Sequence, residues 1–301
     1  TKAMKLVATV KLQKARGNAE NSKPYFDHMY EAVKSMLSRS GNIDHKYLRT
    51  GKSTKKAVIV ITSNRGLAGG YNSNIVKLIT NNLDFSVDDT VIYNIGRKGK
   101  ELLVRKGYDV KADFSEAVNE PMYKDAMEIS DMVLSDFENG EFGELYIAYT
   151  VFKNTVSHIP TLVKLLPVSA EDEQDGDNDD SKAKVLMNYE PGAEEALDII
   201  IPKYVSSLIY GGLIESVASE NGARMQAMDS ATSNADEMIA DLELMYNRAR
   251  QGAITQELTE IIADNNELTN LDSLERLIRL EKLSICNSGL TDISGLKNCT
   301  I

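Results

Sequence analysis

The sequence predicts an α/β protein, with a central domain of alternating strands and helices between two long helices of a coiled coil. Short apolar runs rich in β-branched residues alternate with helical segments from residue 57 to residue 167. Such alternation is typical of layered α/β domains. At both ends of the chain, small apolar residues recur at spacings of three and four, which is the pattern of a coiled-coil seam.

The N-terminal region, residues 1–39, is predicted to be helical, and we expect this helix to be truncated at its start because no capping residue precedes it. Pro24 is expected to kink or break the helix, since proline lacks a backbone N–H and its ring collides with the preceding turn. The seam residues of this helix are Met4, Ala8, Leu12, Ala15 and Ala19.

The central domain contains three apolar runs that are predicted strands. A fourth run, 161–166, is expected to return antiparallel to the third, with residues 158–160 in the turn. Helices are predicted at 96–108 and 123–137, and another directly after the first strand. The three predicted strands are residues 57–62, 91–95 and 145–150.

A glycine-rich turn, residues 63–70, follows the first strand, and strand, glycine turn and helix together are how phosphate sites are built. The spacing of its glycines differs from G-x-G-x-x-G. A Walker loop is also excluded, because Lys46 stands where glycine is required before residues 51–53. We therefore predict a structural turn, although Arg65 within it and Asn72 just after it could form an anion site at the start of the following helix. The residues assigned to the turn are Arg65, Gly66, Gly69, Gly70 and Asn72.

The net charge of −11 is concentrated in residues 171–180, which hold seven carboxylates and no basic residue. We interpret this run as a solvated loop. It does not match a calcium-binding EF-hand, which needs glycine at loop position six and glutamate at position twelve, because counting from Asp175 these positions hold Asp180 and Leu186. The region 2–23 is basic, so it could meet nucleic acid, anionic lipid or an acidic protein surface. The three histidines are scattered, and the two cysteines lie thirteen residues apart near the end of the chain, so we predict no catalytic, cofactor or metal site.

Residues 222–263 are predicted to form the second coiled-coil helix. Its seam is thin, because alanines, methionines and a threonine bury little apolar area each. A partner helix is therefore needed, and residues 1–19 are the natural choice. The seam residues are Met225, Met228, Thr232, Ala235, Ile239, Leu242, Tyr246, Ala249 and Ala253.

The tail, residues 264–301, repeats with a period of 22. Its leucines are spaced by three, which makes no stable stripe on an α-helix, and the pattern resembles leucine-rich repeats. About three repeats are needed to close such a core, and fewer are present. We expect a poorly ordered tail and assign it no function.

Several separated motifs in order resemble the γ subunit family of F-type ATP synthase. They are TKAMKLVATVKLQKAR, SNRGLAGGYNSNI, IGRKG, SENGARMQAMDSATSNA and ARQGAITQELTEII, and the resemblance runs from residue 1 to about 263. It implies terminal helices paired as an antiparallel coiled-coil rod, with a central Rossmann-like α/β domain. The implied domains are the N-terminal helix 1–50, the α/β domain 51–195, the C-terminal helix 196–263 and the tail 264–301.

The resemblance implies a central-stalk rotor that couples proton flow to ATP synthesis by the α3β3 ring, with no catalytic residue of its own. The implied partners are the α and β subunits, the ε subunit and the membrane c-ring, with no nucleic acid. We expect no direct membrane insertion, because no window approaches the roughly eighteen apolar residues of a span. The implied location is the cytoplasmic face of a bacterial plasma membrane, with mitochondrial and plastid inner membranes still open.

The resemblance also marks positions that contact the ring, although for a generic helix they would be solvated charges. Two other hypotheses remain open. A nucleotide-binding α/β enzyme would bind phosphate at Gly66–Gly70, and an adaptor would use the coiled coil or the leucine-rich tail. The implied ring contacts are Met4, Lys5, Arg250, Gln251, Thr255 and Glu257.

Overall fold

The computed structural model describes residues 2–39, 45–168, 192–257 and 260–298. The chain divides into two compact units, Thr1–Ala231 and Thr232–Ile301, whereas the four-part division above stays a prediction. The α-helices within the described ranges are α1 Lys2–Arg39, α2 Tyr71–Thr80, α3 Arg97–Arg105, α4 Tyr123–Glu138 and α5 Ala193–Glu257. The strands are β1 Lys56–Ile61, β2 Thr90–Ile95, β3 Asp109–Asp113, β4 Glu144–Phe152, β5 His158–Leu166, β6 Glu260–Ile262 and β7 Lys282–Ser284.

The first unit is built on a five-stranded sheet of order β3-β2-β1-β4-β5. Its first four strands are parallel, and β5 runs antiparallel to β4. Ala57–Ile61 of the central strand is fully buried, as expected for a strand covered on both faces. On one face Ile59 and Ile61 pack with α4 and α5, and on the other Val58 and Val60 pack with α2 and α3. The predicted layered α/β domain is therefore confirmed.

The predicted strands and the antiparallel return are confirmed, but the predicted turn at 158–160 is wrong. His158 pairs with Phe152, and Ile159 pairs with Val151, so these residues belong to β5. The chain reverses at Asn154 instead, where its side-chain oxygen accepts hydrogen bonds from the backbone N–H groups of Val156 and Ser157. The edge strand β3 was not predicted, because charged residues alternate with apolar ones along its short length.

α1 and the part of α5 before residue 232 lie antiparallel, as predicted. The predicted pairing of residues 1–19 with the seam of residues 222–263 is confirmed only as far as Asp229, because the later seam residues Ile239, Leu242 and Tyr246 are exposed. Lys5 contacts Asp229, and the Thr9 hydroxyl lies 3.4 Å from the Met225 sulfur. Farther along α1 the ring of Phe26 packs edge-on against Tyr210 of α5. As residue numbers rise along α1, the residues of α5 that they contact have falling numbers, so the two helices run antiparallel.

α1 continues through Pro24, so the predicted possibility of a break is wrong. Packing holds the helix on both sides of the proline. Leu12 and Ala15 lie in a cluster with Ala218 before it, and Phe26 contacts α5 after it. These contacts compensate for the backbone hydrogen bond that proline cannot make.

α5 buries an apolar face in the core of the first unit. A window within Glu194–Ile254 reaches a mean hydropathy of 1.3 and is long enough to cross a membrane by length and composition, with half of it buried in the protein. This finding contradicts the expectation that no window comes near a span. The apolarity belongs to the core contact of the helix, because every fourth residue is completely buried there. These residues are Leu197, Ile201, Val205, Ile209 and Leu213.

The second unit contains the last part of α5, residues 232–257, and the described part of the tail. A helix to residue 263 was predicted, but Glu260–Ile262 is strand β6 and pairs in parallel with β7. The strand is favoured because its partner lies one repeat of 22 residues farther along the chain, and the same offset recurs between the side chains of Asn265 and Asn287. The acidic run 171–180 lies outside the described residues.

Candidate functional site

The glycine-rich turn is fastened to the first turn of α2 by one side chain. The Asn72 oxygen accepts a hydrogen bond from the backbone N–H of Ser63 at 2.9 Å, and its amide donates to the Ser63 hydroxyl at 2.8 Å. The same hydroxyl donates to the carbonyl of Arg65 at 2.6 Å. Asn72 is thus engaged within the turn, which argues against its use as an anion ligand.

The outer part of the turn carries a strained and exposed leucine. Leu67 has a φ of 62°, in the left-handed region that costs a side chain of this kind on the order of 1–3 kcal/mol. It is also 65% exposed. Gly69, two residues after Leu67, has a φ of 55°. Gly70 directly precedes α2 and provides no side-chain cap.

An ion pair on α5 holds the turn from the other side. Arg224 Nη2 donates to Glu220 Oε1 at 2.6 Å, one helical turn away, and lies 3.4 Å from the carbonyl oxygens of Arg65 and Gly66. Glu220 is only 8% exposed, and burial raises its pKa although Arg224 opposes the shift. This ion pair was not predicted, and its one signal in the sequence is a glutamate and an arginine at positions i and i+4.

Among the predicted ring contacts, Met4 and Lys5 lie on α1. The Met4 side chain is half exposed and lines a cavity beside the turn, whereas the Lys5 ammonium contacts Asp229. The turn, α1 and α5 therefore meet in one place within the first unit.

The other predicted contacts lie near the end of α5. Arg250 and Gln251 are exposed. Thr255 and Glu257 also belong to the helix, but their side chains lie outside the described part of the structure. Nearby apolar side chains of the predicted seam are exposed as well within the described residues, and they are Ile239, Leu242 and Tyr246.

Among the residues that the structure describes, no group of three or more His, Cys, Asp or Glu side chains could hold a metal ion. The surfaces described above consist of helix faces and the glycine-rich turn.

The family model and the relatives that this chain resembles all carry the description ATP synthase. A family model described as ATP synthase matches residues 1–266. The ATP synthase gamma chain of Lachnoclostridium phytofermentans is 64% identical over 271 residues, which cover 89% of this chain and 93% of that protein. The ATP synthase gamma chain, sodium ion specific, of Acetobacterium woodii is 40% identical over 275 residues, covering 87% and 91%.

Solved structures share the fold. A chain from the central stalk and c-ring of the mitochondrial ATP synthase of Tetrahymena thermophila aligns with a TM-score of 0.55 and 23% identity, covering 77% of this chain and 98% of that chain. A chain of the Euglena gracilis mitochondrial ATP synthase aligns with a TM-score of 0.51 and 17% identity, covering 85% and 92%.

Proposed function

Because the chain belongs to the gamma-chain family of ATP synthase, we propose that it is the central-stalk rotor of that enzyme. In this role it couples proton flow through the membrane rotor to ATP synthesis by the α3β3 ring. The family match, together with the antiparallel contact of α1 and α5, carries the proposal. The chain would contribute no catalytic residue, cofactor or metal, and would act through its surfaces.

The surfaces proposed to face the ring are on α1 and on the last turns of α5. The proposed contacts are Met4, Lys5, Arg250, Gln251, Thr255 and Glu257. Exposed charges suit a rotor, because an exposed ion pair contributes only about 0–1 kcal/mol. A contact of that size is made and lost at successive angles without trapping the shaft in one of them.

The proposed partners are the α, β and ε subunits and the c-ring, without nucleic acid and without direct insertion into the membrane. We place the chain at the cytoplasmic face of a bacterial plasma membrane. The bacterial relatives support this location, and association with a membrane-bound complex follows from the family.

The test is a reconstituted ATP synthase carrying Arg250→Ala together with Gln251→Ala. We expect ATP hydrolysis and ATP-driven ion pumping to fall about tenfold, equivalent to about 1.4 kcal/mol in the barrier. The matched control is Asn247→Ala with Arg248→Ala, one turn earlier on the same exposed helix, and it should retain both activities. Equal activity of the two double variants would refute the contact role of Arg250 and Gln251.

Two further measurements test the coupling ion and the nucleotide-binding hypothesis. Synthesis driven by a proton gradient should exceed synthesis driven by a sodium gradient, although one relative is a sodium-specific gamma chain. Calorimetry of the full chain with ATP should show no binding heat. Micromolar binding that Gly69→Val abolishes would instead support the nucleotide-binding hypothesis.

A further inference from the structure

A cavity of about 400 Å³ lies in the first unit where α1, the glycine turn and α5 meet. Its volume falls within the range of small-molecule sites, about 300–1,000 Å³. The walls are largely apolar, with Met4 and Val7 from α1, Leu67 from the turn and Val217 from α5. An apolar cavity with a few polar groups at its edge is the usual form of a site for a small ligand.

The charges at this cavity are unbalanced toward positive. Lys11, Arg65 and Arg224 line it together with a single carboxylate, Glu220. Arg224 is paired with Glu220. In the described part of the chain, neither Lys11 nor Arg65 has a carboxylate within ion-pair distance. This local excess contrasts with the net charge of −11 of the whole chain.

Two apolar residues at the edge of the cavity are exposed to solvent. Val7 is 58% exposed and Leu67 65%, and Leu67 is held there at a positive φ. Strain of this kind persists where surrounding structure enforces it and is common at ligand sites. A bound apolar group would remove these side chains from water, which is favourable in proportion to the area covered.

We propose that this cavity binds a small amphipathic anion, such as a medium-chain fatty acid. Its hydrocarbon chain would contact Met4, Val7 and Leu67, while its carboxylate would lie near Lys11 and Arg65. The proposed occupant is a free, unesterified fatty acid, bound as its carboxylate anion. The cavity shares Met4 with the surface proposed to face the ring. The proposal goes beyond the rotor function because it concerns a small ligand, and it is tested on the full chain alone.

The test is calorimetric titration of the purified chain with decanoate, compared with decyltrimethylammonium. We expect one decanoate per chain, bound at least tenfold more tightly than the cation. Val7→Trp should fill the cavity and weaken decanoate binding at least tenfold. The matched control is Val10→Trp on the same helix, because Val10 is equally exposed, at 59%, and does not line the cavity.

Lys11→Gln with Arg65→Gln tests the charge contribution, and should weaken decanoate binding without affecting decanol. Circular dichroism should report an unchanged fold for each variant, because the substituted residues are all exposed. They are Val7, Val10, Lys11 and Arg65. Equal binding by the Val7 and Val10 variants, or equal binding of anion and cation, would overturn the proposal. It would also be overturned if an acidic leucine-containing peptide displaced decanoate with higher affinity, since the cavity would then be a docking site for protein.

Discussion

Lys5 of α1 and Asp229 of α5 form an ion pair in which Nζ lies 2.5 Å from Oδ1. Their side chains are 44% and 60% exposed, so the pair contributes about 0–1 kcal/mol to stability. The pair marks the antiparallel register of the two helices but contributes little to their association. Close packing of small residues deeper in the same contact is the larger contribution.

Ala218→Leu tests that packing. Ala218 is 2% exposed and lies in a cluster with Leu12 and Ala15, where a larger side chain has no room. We expect a loss of about 1–3 kcal/mol in the free energy of unfolding, as for other overpacked sites. Lys5→Ala should cost less than about 1 kcal/mol. Urea denaturation measures both, and a larger loss for Lys5→Ala would show that charge sets the contact.

Gly96→Ala should destabilise the sheet domain. Gly96 has a φ of 103°, and a Cβ there would overlap the carbonyl of Thr62, which is backbone and cannot move aside. We expect a loss of about 2 kcal/mol or more from the backbone strain and the overlap. In contrast Gly17→Ala, inside α1 with open space around its Cβ position, should gain about 0.5–1 kcal/mol. Thermal unfolding that ranks the two variants the other way would contradict this account.

Glu220→Gln should change how stability depends on pH. Burial raises the pKa of Glu220 above its ordinary value of 4.5, so the native state binds this proton more tightly than the unfolded chain. That stabilisation is complete below pH 4.5 and is lost as the pH rises through the raised pKa. The free energy of unfolding of the wild type minus that of Glu220→Gln should therefore decrease from about pH 4 to pH 7. Urea denaturation across this range measures the difference, with Glu237→Gln as a surface control. A flat or rising difference would disprove the raised pKa.

The sequence predicted those parts of the fold that rest on local pattern. The run Ala57–Ile61 is so uniformly apolar and β-branched that a buried central strand was its natural assignment. The seam of α1 was equally visible, because its alanines recur at helical spacing. In both cases the buried residues are consecutive or evenly spaced in the sequence.

The errors fall where distant partners decide the structure. Residues 158–160 resemble a turn because they include a proline, yet pairing with β4 keeps them extended. Glu260–Ile262 continues a helical pattern but pairs with β7. The contact of Arg224 with the carbonyls of the glycine turn joins residues 159 positions apart. No local pattern contains such a contact, so that part of the candidate site required the structure.

His158 and Gly222 provide a prediction in which the sign of a substitution depends on its neighbour. A Cβ at Gly222 would lie 2.7 Å from Cε1 of His158 and 3.3 Å from the ring of Phe152. The imidazole packs against the Phe152 ring at a tilt of 34°, with ring centroids 5.9 Å apart, which restricts its withdrawal from Gly222. Gly222→Ala should therefore destabilise the protein by about 1–3 kcal/mol, although alanine is the better helix former.

In a His158→Ala background the same substitution should become stabilising, by about 0.5–1 kcal/mol, because the helix preference then acts without the overlap. Denaturant unfolding of the four proteins gives the coupling between the two positions. Burial also lowers the pKa of His158, so its contribution to stability is present above pH 6.5 and is lost as the pH falls through the lowered pKa. Proton NMR of the imidazole would measure that lowered pKa. If Gly222→Ala has the same effect with and without the imidazole, the close approach of this helix to β5 is not what requires glycine.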